Sequence, residues 1–170
     1  QNAISACTAA AMTPGALEAR PNAVSASEKI APPWEFERFL SWEVSELGFI
    51  DLDGDGEEEL VTIEPFHGNR LMAYRLQSGN ATPWLEHELH YGHGLWTGTI
   101  AGKPSILVGN RAGTKKLELL RLGASGRLVS QTVAEGTGTA QLAVLHNGDD
   151  DLVFATNQEP SEVALYAISG

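Results

Sequence analysis

Short apolar runs broken by Gly, Asn, Asp and Pro occupy the chain from residue 47 onward. The run Leu60-Val61-Thr62 recurs as Ile106-Leu107-Val108 and again as Leu152-Val153-Phe154, at a spacing of 46 residues. A second run keeps the same spacing: Leu71 to Leu76, Leu117 to Leu122, and Val163 to Ile168. Ahead of each pair stands another run, Leu47 to Ile50, Leu95 to Ile100 and Leu142 to Leu145, whose spacing drifts to 48 and 47. A fourth, more polar run closes the first two units, Trp84 to Leu89 and Leu128 to Val133. Runs this short, containing β-branched and aromatic residues and bounded by turn formers, predict strands. Two independent runs holding one register predict a true repeat, with four antiparallel strands per copy.

A period in the forties with four strands per copy is the pattern of β-propeller blades. The expected fold is therefore all-β, with a partial blade over 1–38, full blades over 39–90 and 91–136, and an incomplete blade over 137–170. In the partial blade, Ala3 to Cys7, Leu17 to Arg20 and Val24 to Ile30 are the candidate second, third and fourth strands. About three blades plus part of a fourth make an arc, because a ring of six to eight blades at this period takes roughly 276 to 368 residues. Open edges at the ends of such an arc are expected to pair, by self-association or with a partner chain that completes the propeller.

Composition narrows the partners. With 170 residues, 42% of them hydrophobic and 19% charged, the chain reads as one folded domain rather than a disordered tail or a fibre. Its formal net charge of −11 argues against nucleic acid and anionic membrane surfaces and favours a cation. Cys7 is the single cysteine, so no internal disulfide is expected. No apolar stretch is long enough to cross a bilayer as a helix, and no membrane insertion is expected.

The densest chemistry lies between the first two runs of the first full unit, where six of the 22 acidic residues fall within Asp51 to Glu59. Oxygen ligands at alternate positions, with Gly54 and Gly56 letting the chain curl, bring carboxylates around one point. Calcium suits such an array because it takes six to eight oxygens in flexible geometry, whereas magnesium demands an octahedron. An EF-hand is excluded: the twelfth loop position is Thr62 instead of a bidentate Glu, and the flanking runs are strand-like. The expected ligands are the side chains of Asp51, Asp53 and Asp55, the carbonyl of Glu57 and the carboxylate of Glu59, with Glu58 turned to solvent. The corresponding loop of the second unit, Ala101 to Pro104, has lost its acids, and that of the third, His146 to Asp151, keeps only some of them.

The segment Phe49-Ile50-Asp51-Leu52-Asp53-Gly54-Asp55-Gly56-Glu57-Glu58-Glu59-Leu60-Val61 resembles the calcium loop of FG-GAP/VCBS repeats, the blades of integrin-alpha-like β-propellers. The resemblance implies a calcium-binding module that engages a protein or carbohydrate ligand, with calcium in a structural role. Localisation follows the same resemblance: extracellular or cell-surface, where millimolar calcium is available, although a cytoplasmic setting is not excluded by the residues themselves.

His87, His90 and His93 form an HxxHxxH pattern, and His67 lies in the turn Phe66-His67-Gly68-Asn69. Three residues apart on a strand, His87 and His90 face opposite sides, so one three-histidine metal site is not expected. His93 opens an inner strand and is placed at the channel, near Ser45 or Glu46 and Thr139. It is the candidate catalytic residue of an alternative reading, a metal-assisted carbohydrate lyase or dehydratase. Otherwise no nucleophile motif or phosphate loop is present, and the chain reads as a binding module more than as an enzyme. Trp34, Trp42, Trp84 and Trp96 are candidate packing or sugar-stacking residues. A further possibility is that the chain is a fragment of a larger propeller, without activity of its own.

Overall fold

The alternation of apolar and polar positions sets strands where the runs predict them. The computed structural model describes Leu40, residues 42–148 and residues 150–169. The expected partial blade over 1–38, with Cys7 and Trp34, lies outside the described residues. Eleven antiparallel strands, and no helix, occur among the described residues. The first sheet comprises β1 (Glu46–Ile50), β2 (Glu59–Glu64), β3 (Arg70–Gln77) and β4 (Asn80–Glu88). The second comprises β5 (Gly92–Ile100), β6 (Lys103–Asn110), β7 (Leu117–Leu122) and β8 (Leu128–Ala134). In the third, β9 (Gln141–Asn147), β10 (Asp150–Asn157) and β11 (Glu162–Ser169) follow one another. Each sheet is an open meander in which sequence neighbours pair.

Strand ends follow local turn chemistry. β4 begins at Asn80, earlier than the apolar run suggests, because Ser78 and Gly79 both adopt positive φ and close a two-residue hairpin between Gln77 and Asn80. Pro83 is tolerated because β4 is an outer strand, and a register shift opposite Ala73 and Tyr74 takes up the irregularity. β4 ends at Glu88, so His90 falls in the connection to the second sheet and not on a strand.

The sheets are held by burial between their faces. Val61, Ile63, Leu71 and Ala73 of the first sheet pack with Ile106, Val108 and Leu120 of the second. The opposite face of the second sheet, Leu107, Leu117 and Leu119, packs with Val153 and Ala155 of the third. Burial of each such aliphatic side chain contributes about 1.5–3 kcal/mol relative to exposure. Backbone bonds fix the spacing. Leu89 and Gly92 donate to the carbonyls of Asn69 and Gly68, while Arg111 and Ala112 donate to those of Tyr91 and His90. The connection is thus clasped between the β2–β3 turn of one sheet and the β6–β7 turn of the next. Thr97 Oγ1 of β5 donates to the Phe49 carbonyl of β1 at 2.9 Å, and a Cβ on Gly48 would lie 2.6 Å from that hydroxyl oxygen. Gly48 therefore sets how closely the first strands of the two sheets approach.

The third sheet departs from the 46-residue spacing in one strand. Ile106 pairs with Leu120, but Tyr166, which lies 46 residues after Leu120, pairs with Val153 and not with Leu152. β10 is therefore offset by 47 residues from β6. A slip of one residue exchanges the two faces of a strand, and burial selects it: Val153 and Ala155 turn inward while Phe154 turns out.

Two acids, the buried Asp151 and the half-buried Glu118, tie neighbouring sheets. Asp151 Oδ2 accepts the Ala101 N–H at 2.6 Å, and its Oδ1 meets His146 Nδ1. The Ala101 bond first, and then His146, hold the Asp151 carboxyl below its usual 3.8. Glu118 accepts from Ser130 Oγ at 2.6 Å and Asn110 Nδ2 at 2.9 Å, with His87 Nε2 of the first sheet 3.8 Å away. His87 first, against an opposing effect of burial, lowers the Glu118 carboxyl below 4.5. A depressed carboxyl contributes stability above its unfolded value, and that contribution is lost as pH falls through the folded one. Asp151→Asn should lower the melting temperature at neutral pH and flatten the loss of stability below pH 3.8, read from melting curves across pH. Leu107→Ala, at a position with no exposure between the second and third sheets, should cost about 2–5 kcal/mol in denaturant unfolding.

Candidate metal centre

Ile50 and Glu59 close the β1–β2 hairpin, and the acidic residues 51–58 form its loop. Leu52 is 3% exposed and anchors the loop in the core between the first two sheets. The remaining loop residues wrap around their own carboxylates. Asp51 Oδ1 accepts the Gly54 N–H at 2.7 Å and its Oδ2 the Gly56 N–H at 3.0 Å. Gly54 and Gly56 stand at φ of 79° and 93°, a region that favours glycine and lets these N–H groups turn inward. Asp53 Oδ1 accepts from Asp55 N at 3.3 Å, and Asp55 Oδ1 from Glu57 N at 2.9 Å. Glu59 Oε2 accepts the Leu52 N–H at 2.9 Å.

Three of the four expected side-chain ligands converge. Asp51, Asp53 and Glu59 each offer an oxygen within 4.8 Å of the others. Oxygens bound to one calcium at 2.3–2.6 Å lie at most about 5 Å apart, so this spread fits a single ion. The Asp55 carboxylate is exposed and stands outside that group, and the side chains of Glu57, whose expected ligand is its main-chain carbonyl, and of Glu58 are exposed. Among the described residues it is the one such acidic or histidine group of three. Glu59 is 2% exposed, and its carboxyl is raised above 4.5, first by burial and further by the charges of Asp53 and Asp55. The Leu52 bond and Arg75 oppose that rise.

Arg75 was not among the candidates. From β3 it pairs with Asp53 and lies over the Trp84 ring at 4.2 Å. A signal was present in the repeat, since Arg121 lies 46 residues later. In the second sheet, Arg121 donates to Ser105 Oγ at 3.0 Å and to the Ile100 carbonyl at 2.9 Å. Ser105 holds the place of Glu59, so a guanidinium there fills the hairpin whose acids are missing. In the third sheet the offset of β10 puts Leu152 in the place of Glu59 and Ser105, and the neighbouring Asp151, on the opposite face, is engaged by Ala101 and His146.

The histidines do not assemble as ligands. His87 faces Glu118, and His90 is exposed in the connection, its N–H donating to Asn110 Oδ1 at 2.7 Å. His93 is half-buried on β5, where its Nδ1 donates to the Ala140 carbonyl at 3.0 Å, next to Thr139. Its ring stacks on His67 at 4.6 Å, and His67 stacks in turn on Tyr91 at 5.3 Å. The His67–His93 contact had no sequence signal, because the β2–β3 turn and the connection to β5 meet only in the fold. Thr139 Oγ1 is spent on Asn157 at 2.9 Å. Of the tryptophans, Trp84 backs Arg75, Trp96 packs on the core between the second and third sheets, and Trp42 lies 5.9 Å from Tyr74.

The chain matches no protein-family model and no curated protein in sequence. The chemistry of the loop therefore rests on its own geometry. A buried carboxylate beside two others costs stability when ionised and uncompensated. In chelator at neutral pH, Glu59→Gln should leave the melting temperature unchanged or raise it, since the amide keeps an acceptor for Leu52 without the charge. A fall of several degrees would contradict this account of the loop.

Proposed function

We propose that the chain is a calcium-stabilised β-propeller module of the FG-GAP/VCBS kind, in which the ion orders the first hairpin and the blades present a surface to a protein or carbohydrate ligand. The observation that carries the reading is the convergence of Asp51, Asp53 and Glu59 oxygens within 4.8 Å, with Glu59 almost wholly buried. One divalent cation would neutralise this cluster and replace Arg75 as the partner of Asp53. Asp55 and the Glu57 carbonyl lie in the same loop and would complete the six to eight oxygens calcium prefers. The blade reading is supported by three successive meanders at near-constant spacing, with β5 lying beside both β1 and β9. An extracellular or cell-surface setting suits a loop of this type, where calcium is plentiful. Among the described residues no helix is long and apolar enough to cross a membrane.

The role assigned to the ion is structural, and a melting experiment tests it directly. A ligand that binds only the folded state at a hundred times its Kd stabilises by about 2.7 kcal/mol. For a domain of this size that is a rise of roughly 5–10 °C in calcium relative to chelator. Asp53→Ala should remove most of the difference. Equal melting temperatures in excess calcium and in chelator would end the proposal.

A further inference from the structure

A guanidinium from the third strand stands at the first hairpin of each of the first two sheets, but the two are held differently. Arg121 donates from Nε to Ser105 Oγ at 3.0 Å and from Nη2 to the Ile100 carbonyl at 2.9 Å, so two of its nitrogens are engaged. Ser105 stands where the first sheet has Glu59, and the turn between β5 and β6 carries no acid for Arg121 to face. Arg75 holds the same place in the first sheet. Among the described residues its one hydrogen-bond partner is Asp53 Oδ2, 2.5 Å from Nη2, and its buried Nε has none.

The remaining hold on Arg75 comes from Trp84, whose ring centre lies 4.2 Å from the guanidinium carbon. Trp84 is the extra residue of a β-bulge: Ala73 pairs with Leu85 and Tyr74 with Pro83, leaving Trp84 between them. A bulge re-aims a side chain, and this one sets the ring with Leu85 against the core between the first two sheets. The aromatic face keeps the cation close without directional bonds. Asp53, the other partner, is one of the three residues whose oxygens converge within 4.8 Å. Asp51 accepts the N–H groups of Gly54 and Gly56, and Glu59 accepts that of Leu52. Among these three, Asp53 alone is paired with a cationic side chain.

We infer, on the calcium reading of the loop, that Arg75 is a tethered competitor of the ion: it occupies Asp53 until calcium takes that carboxylate, and so sets the concentration at which the loop fills. A divalent ion and a guanidinium at one carboxylate repel each other, so binding is an exchange. Arg75 is built to leave. Its side chain is 41% exposed, its Nε gives up no bond, and its stem can stay on Trp84 while the charged head turns to solvent. Arg121 is the fixed counterpart within the same molecule: where the acids are missing, the guanidinium is bonded into the hairpin at two nitrogens and stands there as its permanent cation.

Calorimetric titration of calcium into the full chain reads the exchange. Arg75→Gln, which removes one positive charge close to the ion, should bind calcium about five- to tenfold more tightly than the wild type. Arg75→Lys keeps the charge and should stay within about twofold of the wild type. Circular dichroism melts check that the variants fold, and Arg75→Met, which keeps the stem on Trp84, takes the place of Arg75→Gln if that variant does not. Calcium uptake by Arg75→Gln alone would support the inference, since Arg75 would then be holding the wild-type loop closed to the ion. An affinity equal to or weaker than that of the wild type would overturn it, because Arg75 would then be shaping the loop and not competing for it. Equal tightening in Arg75→Lys and Arg75→Gln would also overturn it, since charge would not be the cause. No uptake by the wild type or any variant is a different failure: it ends the calcium reading itself, and the inference with it.

Discussion

Ile106, Val108 and Leu120 leave the second sheet on one side, Leu107, Leu117 and Leu119 leave it on the other, and all six are buried. This double-sided burial is the constraint on which the rest of the fold depends. A single open sheet leaves its apolar faces in water, and sheet-on-sheet contact supplies the apolar burial that makes these meanders persist. Because the middle sheet is covered twice, its strands read as continuous apolar runs, while β9 and β11, covered once, alternate. The connections add directional bonds to this non-directional force. They are clasped between the turns of adjacent sheets, so the sheets cannot slide without breaking backbone pairs.

The acidic hairpin is a consequence of that scaffold. Leu52 is held in the core between the first two sheets, and Glu59 is held at the buried start of β2. The loop between them must curl, and carboxylates accept the inward N–H groups. The result is a concentration of negative charge in the first hairpin, and the polar groups of the three sheets near their first hairpins are partnered differently. Arg75 partners Asp53 in the first sheet, Arg121 bonds Ser105 and Ile100 in the second, and Asp151 accepts from Ala101 and His146 in the third. Among the described residues only the first hairpin gathers three carboxylates. Exposed ion pairs such as Arg75 with Asp53 contribute about 0–1 kcal/mol, which leaves the pair easily displaced by a divalent ion.

Much of the strand pattern was legible from residue 47 onward, because short β-rich runs and turn residues are local signals. The candidate ligands Asp51, Asp53 and Glu59 were legible for the same reason, their alternation in the loop being a local pattern. Arg75 was hidden since it lies on a different strand, 22 residues from its partner Asp53. His67 and His93 were hidden likewise: one lies in a turn and the other on β5, and their stacking depends on how two sheets meet.

The spacing of apolar runs and turn residues along the sequence by itself determined the all-β character, the three meanders and the placement of acids in the first hairpin. All of these follow from periodicity and turn chemistry within a single unit. Tertiary structure alone decided the register of β10. The sequence aligns Val153 with Leu107, yet Val153 occupies the place of Ile106, because one residue of slip exchanges two faces and only contact with the second sheet distinguishes them. The same slip turned Phe154 outward and left the third sheet with an uncovered apolar face. Which face of a strand is buried is a property of its neighbour, and no run of residues carries that neighbour within itself.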